Sequence, residues 1–373
     1  MKGLLTICCC IYLNLPVIGQ DNRDFAYIDN KVLHIPSAET YSTSAIAGYM
    51  RSNFKTDQEK LRAIYTWIIT NISYDTDSMY HINWSMDPDA KISATLRRRR
   101  GVCENYATLF TDIAMKSGFY AHVVNGYTNF GAAGKAGHSW CAVQLQDKWF
   151  LCDPTWDIDY KGNTKYFLVA PIDFIETHMP FDPLWQLLEY PVTDHEFKRG
   201  IFASKKDKPI FNFKDTAKVF FQLDSLQQME TSNRRIKQAG IENDRQKNWL
   251  AYNQMKIAGI YGEKDMNLYN SAVADLNEAN AVFNDYVKYR NNGFIPVRPD
   301  VVMSKLLDDI PVLVSSAKKK LALIGQTVDN FQYDTGSIIN SLNKLSGRVT
   351  EQKNFLKKYL SLNGVERSKL FYK

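Results

Sequence analysis

The chain has 373 residues, 45% hydrophobic and 23% charged, which is enough apolar material for sizeable cores and too much for a disordered polypeptide. At about 100–200 residues per domain the length suggests two domains. Gly (19) and Pro (12) stand at ordinary levels, which excludes collagen-like and low-complexity chains, and a net charge of +6 from 46 basic and 40 acidic residues is too balanced to point to nucleic acid.

Residues 1–19 read as a secretory signal peptide. Lys2 precedes an apolar run from Leu4 to Leu13, and Gly19 precedes the polar Gln20-Asp21-Asn22. The run is shorter than the ~20 apolar residues of a membrane span, and Leu5-Thr6-Ile7-Cys8 lacks the small residue of a lipobox. Cleavage after Gly19 removes Cys8, Cys9 and Cys10 and leaves Cys103, Cys141 and Cys152. The expected product is exported, periplasmic or extracellular, with no integral membrane segment. Its odd cysteine count invites a free, reactive thiol.

The texture changes near residue 205, so the expected domains are 20–204 and 205–373, with Lys205–Lys208 as linker. In the first, Thr56 to Asn71 reads as a helix carrying Leu61, Ile64, Tyr65 and Ile68 at helical spacing. Asp87-Pro88 opens a second helix through Ile92 and Leu96. Cys103 to Lys116 is a third, with Ala107, Phe110 and Ala114 on the face of Cys103 and Gly118 as its stop. Three strands follow, Tyr120–Tyr127, His138–Leu145 and Lys148–Asp153, the last two joined by Gln146-Asp147. A small-residue loop, Gly131–Gly137, precedes the second of them. Helices followed by strands argue for an α+β domain.

The second half reads as three or four amphipathic helices packed as a bundle. Met266, Tyr269, Val273, Leu276, Phe283 and Tyr286 form one stripe, and Ile338, Leu342, Leu345, Val349, Leu356 and Leu360 another. Pro311 is expected to kink or split a helix.

Three segments carry chemistry: Gly101-Val102-Cys103-Glu104-Asn105-Tyr106-Ala107, Gly137-His138-Ser139-Trp140 and Trp149-Phe150-Leu151-Cys152-Asp153-Pro154-Thr155-Trp156. A thiol nucleophile needs an imidazole to take its proton, and the imidazole needs a carboxylate to fix its tautomer. A cysteine at a helix N-terminus gains from the exposed backbone N–H groups, which favour the thiolate. If Gln146-Asp147 is a two-residue hairpin loop, His138 opposes Thr155 and Asp153 is its diagonal neighbour on the same face. The Cys103 helix is then expected to pack against that face. The same register sets Cys141 opposite Cys152 on the other face, where they form either a cross-strand disulfide or two buried free thiols.

These segments resemble the transglutaminase-like core superfamily of papain-like thiol enzymes, in its bacterial, protease-like branch similar to the kyphoscoliosis peptidase. The resemblance covers roughly residues 55–160, with Tyr65-Thr66-Trp67-Ile68 and Tyr74-Asp75 adding to it upstream. It implies a nucleophile helix packed on an antiparallel sheet. It also implies Cys103 as nucleophile, His138 as general base and acid, and Asp153 as orienter. The oxyanion would be held by the Cys103 N–H and, by alignment with animal transglutaminases, by Trp84. Those enzymes carry Gln-Cys-Trp where this chain has Val102-Cys103-Glu104, and no calcium motif is present, so protein cross-linking is not implied.

The expected activity is cleavage or transfer at amide or peptide bonds through a thioester, without metal or organic cofactor. The substrate would be a peptide or protein, a cell-envelope peptide among the candidates. The alternative is a catalytically silent scaffold whose bundle binds an unknown partner. Arg97–Arg100 is either a substrate-attracting rim or a solvated helix end. The six histidines show no metal-binding spacing.

Overall fold

The computed structural model describes residues 25–77, 87–129, 137–158, 164–203, 205, 208–325 and 333–371. The signal-peptide segment, Trp84 and residues 131–136 of the small-residue loop lie outside the described residues. The chain divides into two compact units between Leu250 and Ala251.

The first unit opens with α1 (Ala26–Leu33) and α2 (Thr43–Asn53), followed by α3 (Asp57–Asn71). Helix α3 starts where the sequence places it because Thr56 forms a reciprocal cap. Its hydroxyl accepts from the Glu59 N–H at 3.1 Å, and the Glu59 carboxylate accepts from the Thr56 N–H at 3.2 Å. A buried ion pair ties α3 to α1. Arg62 donates to both oxygens of Asp29, at 2.8 and 2.7 Å.

Strand β1 (Ser73–Tyr74), helix α4 (Pro88–Arg98) and strand β2 (Arg100–Gly101) lead into α5 (Cys103–Lys116). The two short strands pair in parallel, Ser73 with Arg100 and Tyr74 with Gly101. Asp87 caps α4 by accepting from the Ala90 N–H, with Pro88 in the first turn, where no N–H is needed. Helix α5 buries Tyr106, Ala107, Phe110, Ile113 and Ala114, and Gly118 ends it at φ +99°.

Strands β3 (Ala121–Thr128), β4 (Gly137–Leu145) and β5 (Lys148–Cys152) follow, then α6 (Pro171–Phe174) and β6 (His178–Pro180). The sheet order is β5-β4-β3-β6, antiparallel throughout. The hairpin has the expected register, with Cys141 opposite Cys152 and Leu145 opposite Lys148. Alternation divides the sheet into two faces. Ala121, Cys141, Val143 and Cys152 join the core of α1, α2, α3 and α5. Val124, Trp140, Ala142, Trp149 and Leu151 join a second core. His138 shares the parity of Trp140. Helix α5 therefore covers the face away from His138, not the face expected from the sequence.

Helices α7 (Asp194–Lys198), α8 (Phe213–Phe220) and α9 (Ser225–Ala239) complete this unit. Ala217 and Phe220 of α8 pack in the core of Trp140, and Arg235 of α9 grips Asp182 through both carboxylate oxygens. Lys208 donates to the Pro191 carbonyl at 2.9 Å and to Glu196 at 2.5 Å. The compositional change at residue 205 thus falls inside the first compact unit.

Helix α10 (Asp244–Asn291) begins before the division; its residues from Ala251 onward belong to the second unit with α11 (Asp300–Met303), α12 (Asp309–Leu321), α13 (Thr335–Leu360) and α14 (Gly364–Lys369). Its core gathers Leu276, Phe283 and Tyr286 of α10, Ile310, Val314 and Leu321 of α12, and Leu342, Leu345, Val349 and Leu356 of α13. Two expectations change here. Met266 is exposed, because the buried stripe of α10 runs through Ala272, Leu276, Ala279 and Phe283. Pro311 neither kinks nor splits a helix. It lies in the first turn of α12, where its missing N–H has no acceptor to lose. No helix among the described residues is long and apolar enough to cross a membrane.

Candidate functional site

Cys103 is the first residue of α5 and is 8% exposed. Its position is fixed by the turn before it. The Asn105 side chain accepts from the Val102 N–H at 2.9 Å and donates to the Thr95 hydroxyl of α4 at 2.9 Å. Glu104 pairs with Lys91 of α4 at 2.7 Å. Gly101 permits this close turn, since a Cβ there would lie 2.5 Å from the Asn105 Cβ. The arginine run supports the same region from outside. Arg98 and Arg100 pair with buried Asp75 at 3.1 and 3.3 Å, and Arg99 caps α4 at φ 51° with its guanidinium over Trp67. Only Arg97 is left for a rim; the other three tie the loops together.

His138 is the second residue of β4, beyond the last β4–β5 pair. Its Nε2 lies 2.7 Å from Asp153 Oδ2, as the diagonal register predicts. Asp153 is fully buried, and its other oxygen accepts from the Thr155 N–H at 2.9 Å. The Asp153 backbone is held as well. Its N–H donates to the Tyr166 carbonyl at 2.9 Å, and the Tyr65 hydroxyl lies 2.8 Å from its carbonyl oxygen and 2.6 Å from Asp157 Oδ2.

A second imidazole completes the cluster. His178 Nε2 lies 3.1 Å from the same Asp153 oxygen, and its Nδ1 lies 2.7 Å from the Thr177 hydroxyl. Both rings sit in an aromatic enclosure. His178 stacks on Phe174 at 4.1 Å and approaches Trp156 at 4.4 Å, while Trp140 and Trp156 lie 6.0 and 5.8 Å from His138. Strand β6 reaches this place because Gly126 of β3 has no side chain. A Cβ there would lie 2.2 Å from the Met179 carbonyl oxygen and 2.5 Å from the Trp140 ring.

The electrostatics separate the two histidines. Burial opposes charge on His138, but the Asp153 carboxylate and its hydrogen bond favour it, a hydrogen bond with Cys103 adds to them, and the ring is pushed up to about 10. Burial dominates at His178 and lowers it, so that ring is neutral at physiological pH. Burial also works against charge on Asp153, yet His138 and His178 together hold its carboxyl well below the usual carboxylate range. With Nε2 engaged by Asp153, Nδ1 is the His138 nitrogen left for the thiol.

Asp153 Oδ2 and one nitrogen from each ring lie within 4.8 Å of one another, near enough for one cation to bridge. The hydrogen bonds among them already account for the arrangement. Cys141 and Cys152 are both free, buried thiols. Cys141 Sγ donates to the Ala107 carbonyl at 3.6 Å, and Cys152 Sγ accepts from the Leu168 N–H at 3.2 Å. Two cavities of the first unit, of about 800 and 360 Å³, are lined by neither Cys103, His138 nor Asp153.

Residues 44–154 match the model of the transglutaminase-like superfamily. They form a transglutaminase-like domain. The matched span includes Cys103, His138 and Asp153 and stops short of His178. Human kyphoscoliosis peptidase is 33% identical over 165 residues, which are 39% of this chain and 24% of that protein. Hillarin of Drosophila melanogaster is 23% identical over 218 residues, 50% of this chain and 26% of its own. The crystal structure of a TGase is 18% identical and covers 38% of this chain and 39% of its own at a TM-score of 0.26, too slight a likeness to argue from. The chain thus spans about a quarter of the length of the curated relatives it matches.

Tyr65 and His178 are the site residues that sequence reasoning did not assign. Tyr65 stood inside the upstream stretch that carried the resemblance, but nothing in its helical spacing pointed at Asp153. His178 gave no signal at all, since it lies in a three-residue strand without periodicity.

Proposed function

We propose that this transglutaminase-like domain is an exported thiol enzyme acting on amide or peptide bonds, with Cys103, His138 and Asp153 as its triad. The observation that carries the reading is the buried His138–Asp153 pair at 2.7 Å, with the Cys103 thiol at the start of α5 among the groups that raise the same imidazole. The name of the kyphoscoliosis peptidase points the same way.

The chemistry follows from the geometry. His138, hydrogen-bonded through Nε2 to Asp153, takes the Cys103 proton on Nδ1. An imidazolium beside the sulfur supports the thiolate as nucleophile. The thiolate attacks the carbonyl carbon, and the oxyanion forms near the first N–H groups of α5, which have no intrahelical acceptor. Trp84 is the candidate for a second donor. The C–N bond then breaks, the His138 Nδ1 proton goes to the leaving amine, and a thioester remains on Cys103. Water or an amine attacks the thioester, His138 takes the proton of that nucleophile, and the thiol is restored. No metal or organic cofactor is required. The substrate is a peptide or protein segment, a cell-envelope peptide among the candidates.

The slight exposure of Cys103 favours a second reading, a silent scaffold. Turnover decides between them. The full chain is incubated with a peptide-amide library, quenched in acid and weighed. The enzyme reading expects cleaved or transferred products and an acyl adduct on Cys103, both absent from Cys103→Ala. A wild type as inert as Cys103→Ala would leave the scaffold.

A further inference from the structure

Asp153 serves two imidazoles, and the proposed triad uses only one of them. We propose that His178 is a positioning residue of the site, a buried ring that donates its Nε2–H to Asp153 and fixes the oxygen on which His138 turns. The proposal rests on the triad reading and extends it.

The hydrogen bonds around the ring fit a neutral imidazole that donates to Asp153. Asp153 Oδ2 accepts from both Nε2 atoms, at 2.7 Å from His138 and 3.1 Å from His178, and Oδ1 accepts from the Thr155 N–H at 2.9 Å. An ionised carboxylate is an acceptor only, so His178 must carry its proton on Nε2. In the neutral ring Nδ1 keeps its lone pair, and the Thr177 hydroxyl, 2.7 Å away and 3.4 Å from the Phe174 carbonyl, can donate into it. Every polar atom of a ring that is 1% exposed is satisfied without a second positive charge.

The ring is also immobile. Phe174 stacks on it at 4.1 Å, Trp156 lies at 4.4 Å and Trp140 meets it edge-on at 5.1 Å. The backbone of β6 is pinned to β3 through Thr128 opposite His178. Only a fixed carboxylate oxygen gives the His138 N–H a stationary acceptor, and that direction sets where Nδ1 points. A shared acceptor also tempers the pull of Asp153 on His138, because the carboxylate charge is divided between two donors. A packing histidine would need none of this. A phenylalanine fills the same aromatic slot and avoids burying a polar ring.

The test compares wild type, His178→Phe and His178→Gln in the full chain. Phenylalanine keeps the ring and removes the donor; glutamine places an N–H at the distance of Nε2. The readout is the rate of Cys103 alkylation by iodoacetamide near neutral pH, with melting temperature recorded alongside. The expected result is a loss of about tenfold in His178→Phe and recovery to within about threefold of wild type in His178→Gln, irrespective of their melting temperatures. A folded His178→Phe reacting at the wild-type rate would overturn the proposal, and so would a His178→Gln as slow as the phenylalanine variant. Long-range ¹⁵N–¹H spectra of the wild type give a check that needs no variant. His178 should be the neutral Nε2–H tautomer, and an Nδ1–H tautomer would refute it. Failure of the triad itself would look different: wild-type Cys103 would react at a rate that His138→Ala leaves unchanged.

Discussion

Replacing Asp153 with asparagine isolates the electrostatic core of the site. The new amide can still accept from the Thr155 N–H, but its NH2 group then faces the two imidazole nitrogens that donate to Oδ2. His138 loses the partner that makes its charged form favourable. In the wild type, against the cost of burial, that partner and to a lesser extent Cys103 leave the ring at about 10 instead of 6.5, and at ~1.4 kcal/mol per pH unit this is about 5 kcal/mol of preference for the imidazolium. The sign follows from linkage. A raised imidazole stabilises the fold in full below its unfolded value of 6.5, by about 4 kcal/mol at pH 7, and not at all once pH passes about 10. Asp153 is depressed, so its own contribution is present above the ordinary carboxylate value and is lost only in acid, outside this window. All seven tryptophans precede residue 251, so tryptophan fluorescence during urea unfolding reports the first unit alone. Wild type should exceed Asp153→Asn by several kcal/mol at pH 6, and the gap should close as pH approaches 10. A gap that stays constant from pH 6 to 10 would refute the reasoning, because it would place the cost of the substitution in packing and not in the His138 charge.

Three other outcomes follow from the packing. Gly126→Ala should cost at least about 2 kcal/mol by urea unfolding, since the new methyl meets the backbone of β6, which cannot rotate away. Arg62→Met should cost about 3–5 kcal/mol, because it takes the cation from the buried Asp29 carboxylate, to which the Thr66 hydroxyl still donates; Asp29→Leu in the same chain should recover part of that loss, and an additive double variant would contradict the account. Alkylation under denaturing, non-reducing conditions, followed by peptide mapping, should modify both Cys141 and Cys152, whereas unmodified peptides joined through these residues would show a bridge.

Local signals located most of the elements around the site. Helix α5 was placed to the residue because its apolar spacing begins at Cys103 and ends before Gly118. The hairpin register followed from a two-residue loop, and with it came both the His138–Asp153 approach and the Cys141–Cys152 pair. Alternation says which residues share a face, but not which face a helix covers. Hence α5 was expected on the wrong side of the sheet. The contribution of His178 was unreadable for a related reason: β6 is three residues long and pairs with a strand some fifty positions earlier, so only the folded topology brings it to Asp153. Pro311 shows the ambiguity of a lone signal, because the same residue breaks a helix in its middle and is harmless in its first turn.

The central claim is that Cys103 is the nucleophile of a triad with His138 and Asp153. Labelling of the full chain with a peptide bearing a thiol-directed electrophile, mapped by mass, tests it most directly. The account predicts one adduct, on Cys103, abolished by Cys103→Ala and strongly slowed by His138→Ala. Equal labelling of wild type and Cys103→Ala would contradict it.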